Sequence, residues 1–131
     1  MSVYYLDTSA VAKLVLRERG SATMRRWAES HAEELCSSDI LRVELQRAVR
    51  RHAPHLMAQV RTILNAILLT TVSTEMYERA ARVDPPLLRA LDALHLVAAM
   101  ELGDELEAIV TYDERLVEAA AANGIATLGP R

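Results

Sequence analysis

The sequence predicts an α/β protein in which a mainly parallel sheet is covered by helices on both faces. Short segments rich in Val, Ile, Leu and Tyr alternate along the chain with longer segments whose apolar residues recur at helical spacing. Strands that alternate with helices favour parallel crossover units. The 131 residues contain no linker, repeat or low-complexity tract, so a single domain over residues 1–131 is expected.

The first half of the chain predicts two strands and four helices. The opening strand is short, rich in Val and Tyr, and ends at Asp7. Gly20 and Ser21 separate the first two helices, and Pro54 suits the first turn of the fourth helix. The predicted strands span 2–6 and 35–37, and the predicted helices span 9–17, 22–30, 39–52 and 54–66.

The second half predicts three strands and three helices. Thr74 marks a helix start, the Pro85–Pro86 pair ends that helix, and Gly103 ends the next one. An Asn123–Gly124 turn closes the last helix. The predicted strands span 68–72, 108–112 and 125–128, and the predicted helices begin at 74, 91 and 113, the last two ending at 102 and 122.

The amino-acid composition excludes several classes of protein but does not indicate a ligand. The single cysteine, Cys36, excludes an internal disulfide and suits a reducing cytoplasm, where we expect the protein to reside. No apolar run approaches the roughly 20 residues that span a bilayer, and the first residues do not resemble a signal peptide. Fourteen of the fifteen basic residues are arginine, but the 21 alanines indicate a GC-rich coding bias, so only the positions of the arginines are informative.

Three of the six aspartates occupy structurally marked positions. Asp7 ends the first predicted strand, Asp113 ends the fourth, and Asp92 opens the helix that directly precedes the fourth strand. Ligands of open parallel sheets bind beyond the carboxyl ends of the strands, where the strand order reverses. If strands one and four are neighbours, Asp7 and Asp113 face one crevice, and Glu44, one turn into the helix after strand two, can lean towards it.

Each acid taken alone also has a purely structural interpretation. The three aspartates could be helix N-caps, and Glu44 could be a solvated residue paired with an arginine one or two turns along its helix. The convergence of these acids on one crevice favours a metal-binding active site, because several carboxylates in one crevice repel one another unless a cation lies between them. All-oxygen sites suit Mg²⁺ or Mn²⁺, and such ions promote phosphodiester cleavage.

Four segments carry a resemblance to a known family across essentially the whole chain. The chain resembles the PIN-domain ribonucleases and, more narrowly, the VapC-type toxins of bacterial toxin–antitoxin pairs. The segments are YLDTSAVAKLVLRERGS at 5–21, SSDILRVELQRAVRR at 37–51, LRALDALHLVAA at 88–99 and VTYDERLVEAAAANG at 110–124. Each is moderately specific alone, and their order together with the acids makes a strong signal.

The resemblance implies both a fold and an activity. The fold is PIN-like, with three α/β/α layers and a five-stranded, mainly parallel sheet. The activity is endonucleolytic cleavage of RNA that depends on Mg²⁺, with Mn²⁺ as the alternative ion. A cognate antitoxin and a homodimer are the implied protein partners. The implied acidic quartet is Asp7, Glu44, Asp92 and Asp113, and the implied supporting residues are Thr8 and Ser9, which orient the first carboxylate or touch the phosphate.

Residues around the quartet remain open to two interpretations. His95 follows Asp92 by one helical turn and could act as a general acid, although a packed or hydrogen-bonded histidine is the better interpretation because metal-bound water already supplies the chemistry. Several arginines could hold the RNA backbone or simply be solvated. These candidates are Arg42, Arg47, Arg50, Arg51 and Arg89.

Other functions fit the sequence less well. A non-catalytic PIN-fold module that binds a protein is the main alternative, although all four acids are intact. An aspartyl phosphatase usually has a second aspartate two residues after the first, whereas Asp7 is followed by Thr8 and Ser9. A serine hydrolase is weaker still, since the chain lacks a Gly-x-Ser-x-Gly turn.

Overall fold

A computed structural model describes residues 2–131 and confirms the predicted α/β architecture. All five strands pair in parallel in one sheet, in the order β3-β2-β1-β4-β5. The strands are β1 Val3–Leu6, β2 Leu35–Ser38, β3 Leu68–Thr70, β4 Leu106–Val110 and β5 Thr127–Leu128. The helices are α1 Thr8–Val15, α2 Ser21–Ser30, α3 Ile40–His52, α4 Met57–Ala66, α5 Thr74–Ala80, α6 Ala90–Met100 and α7 Glu114–Ala122.

Element boundaries differ from the predicted ones where tertiary contacts or local hydrogen bonds intervene. Strand β4 begins two residues earlier than predicted because Leu106 pairs with Val3 of β1. Pro54 begins a short 3₁₀ turn, Pro54–Leu56, before α4 starts at Met57. Helix α5 ends at Ala80, well before the prolines, and Arg82 closes its last turn with a backbone bond to Arg79.

The sheet separates two apolar cores. Successive residues of a strand point to opposite faces, so Leu6 and Val110 pack into the core under α1–α4 while Tyr5 and Ile109 pack under α5–α7. Because both faces are covered, β1 and β4 are apolar at most positions, whereas the neighbouring strand β2 carries two buried serines, Ser37 and Ser38. Among residues 2–131, no helix combines the length and apolar character that crossing a membrane requires.

The order of the strands fixes where a site can form. The chain builds outward from β1 through β2 to β3, then returns to place β4 on the other side of β1. Helices following β1 and β4 therefore leave the sheet on opposite faces and open a crevice at the carboxyl ends of these two strands. The backbone N–H of Asp7 donates to the carbonyl of Val110 across this junction, at 3.2 Å.

Candidate active site

Asp7 lies at the floor of the crevice, only 4% exposed. It is the N-cap of α1, and its Oδ1 accepts from the Ala10 N–H at 3.0 Å and from the Ser9 hydroxyl at 2.7 Å. Its Oδ2 accepts from the Thr111 hydroxyl at 2.5 Å. Burial raises the pKa of Asp7 although all three donors oppose that rise. The carboxylate is therefore held firmly in a position where its charge is unfavourable.

Asp113 enters the same crevice from the end of β4. It is the N-cap of α7, and its Oδ1 accepts from the Arg115 N–H at 2.9 Å. Its own backbone N–H donates to the Thr111 hydroxyl at 3.0 Å, so Thr111 touches both the Asp7 carboxylate and the Asp113 backbone. The N-cap interpretation is thus correct for both residues, and it is compatible with a second role because each carboxylate oxygen has two lone pairs.

Asp92 lies in the first turn of α6, where the N-cap position belongs to Arg89. Its N-cap interpretation is therefore wrong. Burial contributes most to raising the pKa of Asp92, and the negative charge of Asp113 follows, with smaller contributions from Glu44 and Asp7. Asp92 is therefore near enough to each of the other three predicted acids to be influenced by its negative charge.

Glu44 is held by two side chains from opposite sides of the sheet. Its Oε1 accepts from the Thr8 hydroxyl at 2.7 Å and contacts His95 Nε2 at 2.6 Å. Burial favours a higher pKa for Glu44, but the hydrogen bonds with His95 and Thr8 outweigh it and lower the pKa. The alternative prediction, that Glu44 is a solvated residue paired with an arginine of its own helix, is therefore wrong, because Glu44 contacts Thr8 and His95 inside the crevice.

His95 belongs to a buried relay of polar groups. It is 1% exposed, and its Nδ1 lies 2.7 Å from the Tyr5 hydroxyl, which in turn lies 2.8 Å from Ser38 Oγ. Burial raises the pKa of Tyr5, so its hydroxyl stays protonated and can donate to Nδ1. Nε2 then carries the proton that is donated to Glu44. The hydrogen-bonded interpretation of His95 is confirmed.

Comparison with known proteins gives the chain a family. The PIN domain profile matches residues 4–122. The chain is 35% identical over 130 residues to Ribonuclease VapC47 of Mycobacterium tuberculosis and 36% identical over 129 residues to Ribonuclease VapC35 of the same species, with 96% of each chain covered in both cases. The chain belongs to the PIN-domain family, within its VapC type.

Solved VapC structures share the fold of this PIN domain. Mycobacterium tuberculosis VapC20, a sarcin-ricin loop cleaving toxin, superposes with a TM-score of 0.78 at 18% identity and covers 97% of this chain and 99% of its own. VapBC from Salmonella typhimurium, bound to DNA, gives a TM-score of 0.77 at 16% identity with 98% of each chain covered. Identities this low extend the similarity to the fold alone.

The donor set of the PIN domain fits a hard divalent cation in its chemistry. All four acids offer oxygen ligands, the type that Mg²⁺ and Mn²⁺ prefer. Within residues 2–131, no three Asp, Glu, His or Cys side chains come together closely enough to form a complete metal site. Asp7 and Glu44 are fixed by their donors, while Asp92 and Asp113 are half-buried and Asp92 is repelled by its neighbours. A cation would relieve that repulsion.

The predicted supporting residues act on two different acids. Ser9 donates to Asp7 and accepts from the backbone N–H of Tyr112 at 2.9 Å, which ties α1 to the end of β4. Thr8 donates to Glu44 rather than to Asp7. The sequence interpretation missed Thr111 and Tyr5, because each contacts a residue about ninety or more positions away in the chain and no local spacing reveals such a pair.

The candidate RNA-binding arginines of the PIN domain belong to two helices, α3 and α6. Arg42 pairs with Asp39 at 2.9 Å, on the first turn of α3. Arg89 lies at the N-cap position of α6, three residues before Asp92. Arg47 and Arg51 are exposed further along α3, together with Arg50. Arg42 lines one hollow with Arg47 and Arg50, which line a second hollow with Arg51, so the α3 candidates share one surface of that helix.

Proposed function

We propose that this PIN domain is a metal-dependent endoribonuclease and acts as the toxin of a toxin–antitoxin pair. The convergence of Asp7, Glu44, Asp92 and Asp113 at the one edge where the strand order reverses carries the proposal. The names of the relatives support it, since VapC47 and VapC35 are ribonucleases and VapC20 cleaves the sarcin-ricin loop.

The four acids would have different roles, according to how firmly hydrogen bonds hold each side chain. Asp7, fixed by three donors, would be the anchoring ligand, and Asp92 and Asp113 would turn towards it. Bound Mg²⁺ or Mn²⁺ would activate a water molecule and neutralise charge at the phosphate. Glu44 keeps its negative charge through Thr8 and His95, so it is suited to orient a water molecule or complete the ligand shell.

Cleavage of a pooled RNA substrate tests the proposal. Purified protein is incubated with Mg²⁺, Mn²⁺ or EDTA, alongside Asp7→Asn, Asp92→Asn and the control Asp104→Asn, whose exposed side chain lies in a distant turn. Cleavage by the wild type and the control that disappears in EDTA and in the two site variants is the expected result. A cleaving Asp7→Asn variant would contradict the assignment of the site.

Melting temperature provides a readout that does not depend on finding the right RNA. A cation that binds the folded chain alone raises stability with its concentration, so millimolar Mg²⁺ or Mn²⁺ should raise the melting temperature of the wild type and of Asp104→Asn. The Asp7→Asn and Asp92→Asn variants should show little or no shift. A metal-insensitive wild type without RNA cleavage would favour the alternative, a non-catalytic module that binds a protein.

A cognate antitoxin is the proposed protein partner. The fold neighbours include VapBC assemblies from Salmonella typhimurium and Rickettsia felis, both described in complex with DNA. Co-expression of the chain with a candidate antitoxin from the same genome should yield a stable complex that no longer cleaves RNA. Recovery of the chain alone, with full activity, would contradict this partnership.

A homodimer is the proposed assembly of the free toxin. Three apolar side chains, Val43, Tyr77 and Leu91, are 53%, 56% and 44% exposed around one hollow of about 310 Å³ between α3, α5 and α6. Burial of such a patch against a second copy would remove apolar area from water. Light scattering should give the mass of a dimer for the wild type and of a monomer for Tyr77→Glu, whereas a monomeric wild type would contradict the assembly.

A further inference from the structure

Charge is divided unevenly between segments of this chain. Residues 40–72, which form α3, α4 and β3, contain five arginines and a single carboxylate, that of Glu44. Residues 73–131, which include α5, α6 and α7, contain eleven carboxylates and five arginines. The net charge of −3 conceals this separation, which makes residues 40–72 a segment of positive net charge and favours binding of a polyanion there.

Three arginines of α3 surround one hollow. Arg47, Arg50 and Arg51 are exposed, follow one another at helical spacing, and line a hollow of about 440 Å³. None of the three forms an ion pair with a carboxylate in the part of the chain that the structure describes. Their guanidinium groups are therefore available to phosphate oxygens, which they can bind in a bidentate manner.

The position of these arginines connects them to the active site. Glu44 is on the same helix, one turn before Arg47, and α3 rises about 1.5 Å per residue. Arg47, Arg50 and Arg51 thus lie about 5–10 Å further along the helix axis than Glu44. An adjoining hollow of about 410 Å³ is lined by Arg47 and Arg50 together with Arg42, Gln46, Val43 and Met57, so these arginines lie on a surface that extends along α3.

We propose that the arginine face of α3, defined by Arg47, Arg50 and Arg51, binds the backbone of the RNA strand on one side of the cleaved bond. The inference rests on the ribonuclease function proposed above. Glu44 lies on the same helix as this face, so one end of the face is at the active site. The segment that forms α5–α7, on the opposite face of the sheet, is rich in carboxylates, which repel phosphates on that side of the crevice. Because phosphate contacts position a strand without specifying its sequence, the face sets the direction of the RNA rather than the site of cleavage.

RNA fits this face better than a protein segment does. The hollow is lined by arginine alone, without the apolar anchors on which protein partners depend for affinity. A single-stranded RNA presents phosphates at regular intervals and needs only cations to hold them.

A binding experiment without metal tests the face independently of cleavage. Arg47, Arg50 and Arg51 are changed together to Gln in an Asp7→Asn background in EDTA, and binding of a labelled single-stranded RNA of mixed sequence is measured at several salt concentrations. The matched control, also in that background, changes three arginines elsewhere to Gln, with the same loss of charge. These are Arg26 on α2 and two arginines in ion pairs at α5, Arg79 and Arg82.

Loss of the arginine face should weaken RNA binding by at least about tenfold, and should lower the slope of log affinity against log salt by about 2, since each phosphate contact on a single strand contributes about 0.7. The control should retain both the affinity and the slope. Unchanged RNA affinity in the triple variant overturns the inference. If that variant also escapes neutralisation by the antitoxin, the arginine face binds a protein partner instead of RNA.

Cleavage kinetics test the direction of the strand with the metal present and Asp7 intact. Substrates shortened from one end should show a rising KM, substrates shortened from the other end should not, and the triple variant should abolish the difference. Equal losses from both ends, or none from either, overturn a one-sided face while leaving the ribonuclease function standing. If the wild type cleaves no RNA with either metal, the proposed function fails and the binding measurement in EDTA still decides whether the arginine face binds RNA.

Discussion

Asp7 and Glu44 lie in the same crevice, and the protein treats their charges in opposite ways. Asp7 is almost fully buried and its pKa is raised, even though three groups donate to it. Glu44 is only half-buried, and His95 with Thr8 lowers its pKa despite the burial. Both carboxylates are oriented by hydrogen bonds, so orientation alone does not distinguish them. The difference lies in whether the protein compensates the charge.

That difference separates two roles that the sequence assigned to all four acids together. An oriented carboxylate whose charge is not compensated is suited to a cation that the protein itself does not provide. A carboxylate whose charge is compensated from within, by a buried histidine, remains ionised with or without a cation. In the proposed function, Asp7 would therefore be the residue whose ionisation is coupled to metal, whereas the orientation of Glu44 depends on the protein.

The largest expected effect comes from Asp7→Asn. Loss of the anchoring carboxylate removes several kcal/mol of stabilisation at the phosphate, so metal-dependent cleavage should fall by at least about 1,000-fold. The metal-free protein should become more stable, by on the order of 1 kcal/mol, since an uncompensated buried charge disappears. Cleavage rates and urea unfolding in EDTA measure the two effects.

The Asp7→Asn variant should thus lose cleavage activity while its metal-free form gains stability, and this opposition of the two changes is what the experiment checks. Asp104→Asn, at an exposed position, should change neither quantity. If Asp7→Asn loses both activity and stability in EDTA, its carboxylate contributes to the fold rather than opposing it, and the contrast with Glu44 is wrong.

The next effect breaks the compensation of Glu44. His95→Ala removes a fully buried ring and leaves Glu44 without its histidine partner, so the free energy of unfolding should fall by about 2–5 kcal/mol. Cleavage by the folded fraction should fall by about 10–100-fold, as for groups that orient metal ligands. Leu96→Ala, at the neighbouring buried position of α6, should lose similar stability yet retain activity per folded molecule. Equal activity losses in the two variants would deny His95 a specific effect on Glu44.

A pH series sharpens the comparison further. The pKa of Asp7 is raised in the folded state, so its destabilising charge is absent below the unfolded pKa and develops as pH rises through the folded value. The pKa of Glu44 is lowered, so its stabilising charge is present above the unfolded pKa and is lost as pH falls through the folded value. In EDTA, Asp7→Asn should be more stable and Glu44→Gln less stable than the wild type at about pH 7.

The Asp7 difference should shrink as the pH falls towards about 4, because that carboxyl group becomes protonated and resembles the amide. The Glu44 difference should shrink only below about pH 4, as the pH falls through the lowered pKa of Glu44. Urea unfolding at each pH measures this convergence from opposite sides. Differences that share a sign, or that grow in acid, would contradict the opposite pKa shifts of the two residues.

Sequence patterns located the elements and the acids better than they located the contacts among them. Each of the five predicted strands and seven predicted helices is present, since apolar spacing and breakers act along the chain. Strand β4 begins at Leu106, two residues before the predicted start, because Leu106 pairs with Val3 of β1. The sequence around Leu106 does not reveal this contact with a distant strand. Asp7 and Asp113 were found from their positions beyond strand ends, which topology brings together.

The relay behind Glu44 shows why the rest could not be predicted. Tyr5 and His95 are ninety residues apart, one on a strand and one on a helix, and each is surrounded in sequence by apolar residues that indicate a core. Their sequence neighbours carry no sign that the hydroxyl and the ring meet. Only the packing of α6 across β1 creates the hydrogen bond, so a polar group within an apolar run is the single sequence signal available.

The smallest expected effect comes from Tyr5→Phe, which deletes one hydroxyl from that relay. His95 Nδ1 and Ser38 Oγ each lose a partner, so the free energy of unfolding should fall by about 1–3 kcal/mol. Glu44 still accepts from Thr8 and His95, so cleavage should fall only a few-fold, and the NMR shifts of the His95 ring nitrogens should show a weaker preference for the Nε2–H tautomer. An activity loss as large as that of His95→Ala would place the Tyr5 hydroxyl in the chemistry itself, and Glu44 would then depend on the whole relay rather than on its nearest donor.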